Sequence, residues 1–285
     1  MKIKIKIFCF LLFLMGMQVA FSQDKSQLPK YGNNSSAGHY LSTRGINLYY
    51  EIYGKGEPLL LLHGNGGSIS NFKYQIPFFQ KHYKVIAVDS RAQGKSHDSN
   101  DSLTYEMMTD DYNALLDSLH LDSAYVIGWS DGGINGLLLA IRHPDKVKKL
   151  AVTGANLIPD TSVFTTECNQ SSIQYLKDLK AAVQDSSTKN GIKLCHLMEV
   201  EPNIPLSELH KIKCPVLVMA GDHDGIKTSH TVQIYENIQH AYLCIFPATG
   251  HATPQRAKDD FNLKVFNFFS QPYTIMPWND WDKQD

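Results

Sequence analysis

The sequence predicts an α/β fold, a mainly parallel sheet covered by helices on both faces. Three observations carry that prediction. Short, wholly apolar runs such as Leu59–Leu62, Val85–Val88 and Val216–Met219 have the composition of strands buried on both faces. Each run ends in a polar loop containing glycine, where a chain leaving a strand turns sharply. Helical periodicity fills the gaps, as in Met107–Leu119, with apolar residues at 108, 112, 115, 116 and 119. The 285 residues are 43% hydrophobic, ample for one large domain with an insertion. A formal net charge of -1 gives no footing for a nucleic-acid or polyanion partner.

Lys2, Lys4 and Lys6 precede an uncharged run from Ile7 to Ser22, and Ala20-Phe21-Ser22 puts small residues at the -3 and -1 positions of a cleavage site. This predicts a signal peptide over 1–22, cleaved after Ser22, and an exported (periplasmic or secreted) protein with no stable membrane anchor after cleavage. About 16 uncharged residues are short for a membrane span. Residues 23–39 are polar and predict a flexible lead-in.

The core is expected over 40–155 and 212–270. Tyr40–Tyr53 places Ile46, Leu48, Tyr50 and Ile52 on one face and predicts an antiparallel hairpin at a sheet edge. Leu59–Leu62 leads into His63-Gly64-Asn65-Gly66-Gly67-Ser68, a loop whose backbone N–H groups can point into a cavity. Val85–Val88 ends in Asp89-Ser90-Arg91-Ala92-Gln93-Gly94-Lys95-Ser96, and Thr104 is placed to cap the helix that follows. Ala124–Ile127 then meets Gly128-Trp129-Ser130-Asp131-Gly132-Gly133 and the long apolar segment Ile134–Ile141. A strand stops, turns and becomes a helix there; Gly128, Ser130 and Gly132 fit G-x-S-x-G, the nucleophile elbow. Leu150–Val152 is the next strand. Residues 156–211 break the pattern, with weak helices around Ser171–Val183 and Lys193–Val200, and predict a small cap over the pocket. Pro215–Ala220 resumes the sheet and ends in Gly221-Asp222-His223-Asp224; Ala241–Phe246 ends in Pro247-Ala248-Thr249-Gly250-His251. A helix over Lys258–Phe269 and a tail over 271–285 complete the chain.

A serine hydroxyl needs a base within hydrogen-bond reach, and the base needs an orienting carboxylate. Ser130, an acid after one strand and His251 after the next supply that set. Asp222 and Asp224 share the acid loop; the residue deeper in it turns back to His251 more easily, which favours Asp224 and leaves Asp222 to cap the turn. The N–H groups of Asn65 and Asp131 are the expected oxyanion hole.

From Tyr40 to Ser270 the chain resembles the α/β-hydrolase superfamily, through the 63–67 loop, the 128–133 elbow, Gly221-Asp222-His223-Asp224 and Gly250-His251. The 89–96 loop is similar to the superfamily's D-x-R-G-x-G-x-S, with Ala92 where glycine is usual. The resemblance implies an α/β-hydrolase fold, Asp224 as the acid in G-x-x-D, and hydrolysis of a small-molecule carboxylic ester through a Ser-His-Asp triad and an acyl-enzyme. Locally, Gly128–Ile134 with Gly154-Ala155-Asn156 resembles the valacyclovir hydrolase (biphenyl hydrolase-like) family of α-amino-acid ester hydrolases. That resemblance implies substrate-binding roles for Asp131, as the partner of an α-ammonium group, and for Trp129. Asp131 keeps a second reading, in which its carboxylate turns away to complement the helix N-terminus.

Carbon–carbon bond hydrolases and cofactor-free peroxidases keep the same triad, and a catalytically silent binding protein is the reading from another class. No metal ligand spacing and no dinucleotide or Walker glycine motif appears, so no metal and no cofactor is expected. Cys168, Cys195, Cys214 and Cys244 remain after cleavage, and Cys168–Cys195 is the one disulfide proposed.

Overall fold

The computed structural model describes residues 30–277. The signal-peptide stretch, the start of the lead-in and Trp278 and Trp281 of the tail lie outside the described residues. Along the chain come β1 (Gly38–Thr43), β2 (Ile46–Tyr53), β3 (Glu57–Leu62), α1 (Ile76–Phe79), β4 (Tyr83–Val88), α2 (Tyr105–Ser118), β5 (Ala124–Trp129) and α3 (Asp131–Arg142). Then follow β6 (Val147–Thr153), α4 (Thr166–Ala181), α5 (Ser186–Val200), α6 (Leu206–Leu209), β7 (Val216–Gly221), α7 (Thr228–Glu236), β8 (Ala241–Phe246), α8 (Thr253–Arg256) and α9 (Lys258–Ser270).

The strands form one sheet in the order β1-β2-β4-β3-β5-β6-β7-β8. The β1–β2 and β2–β4 pairings are antiparallel, and those of β3 through β8 are parallel. Alternation along β3 shows why its sequence is apolar throughout. Leu60 and Leu62 enter a core with Leu115 of α2 and Leu138 of α3, while Leu59 and Leu61 enter the opposite core with Phe79, Phe261 and Phe268. Each buried leucine contributes about 1.5–3 kcal/mol, so neither face tolerates a polar residue.

The lead-in is tied down from Tyr31, earlier than its composition suggests. Buried Glu51 on β2 accepts from the Gly32 and Asn34 amides, both at 2.8 Å, and from the Tyr49 and Tyr53 hydroxyls at 2.7 and 2.6 Å. Four donors compensate a carboxylate that burial would otherwise make costly. At the other end, Tyr273 packs on Tyr242 of β8, so the tail begins along the sheet edge.

In the insertion, α4 and α5 begin earlier than the apolar pattern indicates. Their N-caps decide this: Thr165 accepts from the Cys168 amide at 3.2 Å and Asp185 from the Thr188 amide at 2.8 Å. Gly191 in α5 lets Leu179 of α4 pack close. The helix α5 is bolted to the core: Asn190 Nδ2 donates to Ala92 O at 2.7 Å and Lys193 Nζ to Asp98 O at 3.1 Å. By contrast α4 has no buried residue. Helix α7 is not announced by periodicity, because it buries the polar His230 and Thr231 along with Ile234. Among the described residues no helix is long and apolar enough to cross a membrane.

Candidate active site

Ser130 stands between β5 and α3 with φ 57° and ψ -119°. A non-glycine residue in that region is strained by about 1–3 kcal/mol, and close packing holds it there. A Cβ on Gly132 would lie 1.9 Å from Leu62 O, and one on Gly128 would lie 2.2 Å from Gly132 O. The elbow therefore closes only with glycine at both positions. The Ser130 amide donates to Thr153 O at 2.9 Å, which hangs the turn on β6.

Loops from three strand ends meet at this serine. His251 Nε2 is 2.9 Å from Ser130 Oγ, and His251 Nδ1 is 2.7 Å from Asp224 Oδ1. With Nδ1–H donating to the carboxylate, Nε2 is the free acceptor for the serine hydroxyl. Asp224 Oδ1 also accepts from the Ile226 amide at 3.0 Å. Burial by itself would push the His251 pKa down, but the Asp224 hydrogen bond and charge, with the charge of Asp131, outweigh it and hold the pKa above the ordinary value. Asp222 plays the other part considered for it. It accepts from the Ala248 and Thr249 amides, both at 3.0 Å, and so caps the turn before His251.

The 63–68 loop is held by the imidazole of His63. Its Nε2 accepts from the Ser90 amide at 3.0 Å while Nδ1 lies 2.7 Å from Gly64 O, so Nδ1 carries the proton. Burial lowers its pKa to about 4, and the ring is a neutral bolt between two loops. Gly64 lets the backbone pass close to the serine, since a Cβ there would sit 3.0 Å from Ser130 Cβ. The Asp131 amide opens α3 and has no intrahelical acceptor, as the first amides of any helix lack one. It follows Ser130 directly, and Asn65 follows Gly64 in the loop that passes close to the Ser130 side chain.

The Asp131 carboxylate does not turn back to its own helix. It is buried, accepts from Asn65 Nδ2 at 2.9 Å and has the Tyr105 hydroxyl as a polar neighbour. Burial raises its pKa to about 6, although Asn65 and Tyr105 both act to lower it. Asn65 also donates to Leu194 O at 3.3 Å and so links the 63–68 loop, the elbow and α5.

Trp129 requires a correction. It was expected at the substrate, yet it belongs to the core on the opposite sheet face, and its indole N–H donates to His251 O at 2.9 Å. Strand alternation sends the last residue of β5 away from the cavity, where it supports the His251 loop. Cys168 and Cys195 are both free thiols and both line the cavity, which replaces the disulfide proposed for them. Ala92 adopts φ 64°, the left-handed conformation that glycine would take without cost, so the 89–96 loop keeps its shape. Within that loop Arg91 is buried and pairs with Asp111 through Nε at 2.7 Å and Nη2 at 2.8 Å.

A cavity of about 680 Å³ opens between the sheet ends and the insertion, lined by Tyr105, Ser130, Asp131, Phe164, Met198 and His251 among others. The sequence offers no signal for Tyr105, and it marks Gly154 through the local resemblance alone, without its place beneath His251. A Cβ on Gly154 would lie 2.7 Å from His251 Cε1 and 3.3 Å from Asp224 Oδ2. Among the described residues no three His, Cys, Asp or Glu side chains converge as a metal site. The set is suited to acyl transfer: a hydroxyl with a base that a carboxylate positions.

Comparison with known proteins agrees with this architecture. A family profile described as the alpha/beta hydrolase fold matches residues 57–198. RutD of Caulobacter sp. (strain K31), named as a carbamate hydrolase, is 29% identical over 78% of this chain and 96% of its own. The serine hydrolase BPHL of Mus musculus is 26% identical over 80% of this chain and 84% of its own. The 3-oxoadipate enol-lactonase 2 of Acinetobacter baylyi is 26% identical over 79% of this chain and 94% of its own. Among solved structures, the enol-lactonase from Burkholderia xenovorans LB400 superposes with a TM-score of 0.69 at 22% identity, covering 82% of this chain and all 100% of that one. The sheet order, the strained serine after β5 and these matches lead to one conclusion: the chain belongs to the α/β-hydrolase superfamily and is a hydrolase of that fold.

Proposed function

We propose that the chain hydrolyses a small carboxylic ester through an acyl-enzyme on Ser130. The observation that carries this reading is the continuous hydrogen-bonded line from Ser130 Oγ through His251 to Asp224. Ser130 Oγ attacks the ester carbonyl as His251 Nε2 takes its proton. Asp224 keeps the imidazole in the right tautomer and stabilises the imidazolium. The Asn65 and Asp131 amides receive the oxyanion, and such donors are worth about 3–4 kcal/mol each in acyl transfer. His251 returns the proton to the leaving alcohol, then activates water to release the acid.

The substrate is an α-amino-acid ester in this proposal. A carboxylate about 5 Å from a developing oxyanion costs roughly 3 kcal/mol at an effective dielectric of 20. Asp131 is held in that neighbourhood by Asn65 and Tyr105 and lines the cavity. An ammonium group on the substrate cancels the repulsion and gives the buried carboxylate its missing counter-charge. The similarity to BPHL, named a serine hydrolase, accords with Ser130 as the nucleophile.

Hydrolysis of an L-amino-acid benzyl ester against its N-acetylated twin tests the proposal, with Ser130→Ala as control. Strong preference for the free amine is expected, with activity abolished in the variant. Equal rates on the two esters would reduce the protein to a general carboxylesterase, and activity surviving Ser130→Ala would overturn the mechanism. Export completes the proposal; N-terminal sequencing of the secreted protein is expected to begin at Gln23.

A further inference from the structure

We infer that Glu201 selects substrates with a second cationic group, so that the cavity takes esters of dibasic α-amino acids such as lysine or ornithine. The inference rests on Asp131 as the ammonium anchor and extends it. Tyr105 stands between two carboxylates. Its amide donates to Glu201 Oε2 at 2.9 Å, and its hydroxyl lies against Asp131. Both carboxylates line the same cavity as Ser130. From amide nitrogen to hydroxyl oxygen a tyrosine spans on the order of 7 Å by standard bond lengths, close to the extended span between the α and ε nitrogens of lysine. One substrate can therefore present an ammonium group to each carboxylate while its ester reaches Ser130.

Charge balance points the same way. Among the described residues no lysine or arginine acts on Asp131 or Glu201; Glu201 has the Tyr105 amide as its donor, with Glu106 as a like-charged neighbour. Lys177 and Lys180 of α4 line the cavity but pair with neither carboxylate. A half-buried carboxylate with a single donor is under-compensated, and a substrate cation supplies what the protein does not. The apolar wall of Phe164, Leu176 and Met198 suits the methylenes between the two charges.

The plain alternative is that Glu201 only caps the N-terminus of α2. The deciding experiment compares kcat/KM for L-lysine and L-norleucine benzyl esters, which differ at the ε position, in the wild type and in Glu201→Gln. Glutamine retains an oxygen for the Tyr105 amide, so the cap survives, and a thermal melt checks that. We expect the wild type to favour the lysine ester at least tenfold, since a charged hydrogen bond is worth roughly ten- to a hundredfold. The ratio should fall by on the order of tenfold in Glu201→Gln. A wild-type ratio of one or less, or a ratio untouched by the substitution, overturns the inference. Nε-acetyl-lysine benzyl ester on the wild type repeats the test without any variant and should react like the norleucine ester. Nα-acetylated norleucine benzyl ester separates the two levels. If it reacts far more slowly than the free amine while lysine has no advantage, this inference alone fails. If Nα-acetylation makes no difference, the Asp131 reading fails and takes this inference with it.

Discussion

Replacing Gly154 by alanine should disable the site without touching a residue of the proposed relay. Gly154 has φ +64°, and a Cβ there would lie 2.7 Å from His251 Cε1, 2.9 Å from Nδ1 and 3.3 Å from Asp224 Oδ2. Carbon atoms pack at about 3.5–4.0 Å, so the imidazole must retreat by on the order of 1 Å. It has little room to do so, being held at 2.7 Å by Asp224 and 2.9 Å by Ser130. A misplacement of about 1 Å in a reacting geometry costs roughly a hundredfold in rate. The backbone adds a separate cost of about 1–2 kcal/mol for alanine in the left-handed region. Gly45→Ala isolates that second cost: Gly45 has φ +82° in the β1–β2 turn and open space within 4 Å of its Cβ position. Steady-state kinetics on an activated amino-acid ester and thermal unfolding read the two effects. Both variants should lose similar stability, while Gly154→Ala alone loses about a hundredfold in kcat. A Gly154→Ala enzyme within twofold of wild type, or a Gly45→Ala enzyme equally impaired, would refute the reasoning.

Asp131→Asn should raise stability at pH 7.5 while removing the preference for a free amine. Burial lifts the Asp131 pKa from 3.8 to about 6, so the ionised form is disfavoured in the fold. Stability is thus lost as pH rises through that window, by on the order of 3 kcal/mol, and the gain from asparagine should vanish near pH 4; urea midpoints at both pH values measure it. The acid limb of kcat/KM should lie above the ordinary histidine pKa, because His251 acts as base only when neutral and Asp224 holds its proton on. A pH–rate profile limb below pH 6 would contradict that assignment. Arg91→Ala should destabilise the fold by about 3–5 kcal/mol, since it leaves the buried Asp111 carboxylate with only the more exposed Arg44 at 3.4 Å and takes the Arg91 partner from buried Asp98. Replacing both partners by apolar residues should restore much of the loss, as a denaturant double-mutant cycle can show.

The core strands were legible because each is a local event, an apolar run followed by glycine and a polar loop. Ser130, Asp224 and His251 could be singled out for the same reason: each follows a strand, and the three lie in one hydrogen-bonded chain. Side-chain direction was not legible. Trp129 belongs to the same 128–133 elbow as Ser130, yet it faces the opposite core, because the sheet's two layers decide which strand face is which. The limits of α4 and α5 are not legible, because α4 buries nothing and α5 buries only its C-terminal half, at Leu194, Cys195 and Leu197, so no periodic stripe marks where either begins.

By itself the sequence determined the layer architecture, the order of the strands' terminal loops and the residue types available for chemistry. These depend on contacts within a few residues, which periodicity and turn chemistry record. Only the tertiary structure decided where the Asp131 carboxylate points, because its partners Asn65 and Tyr105 come from the ends of other elements. Only it placed Glu201 beside Tyr105 across 96 residues of chain and set Gly154 beneath His251. Distances of that kind follow from how the insertion closes on the sheet ends, and no local pattern encodes them.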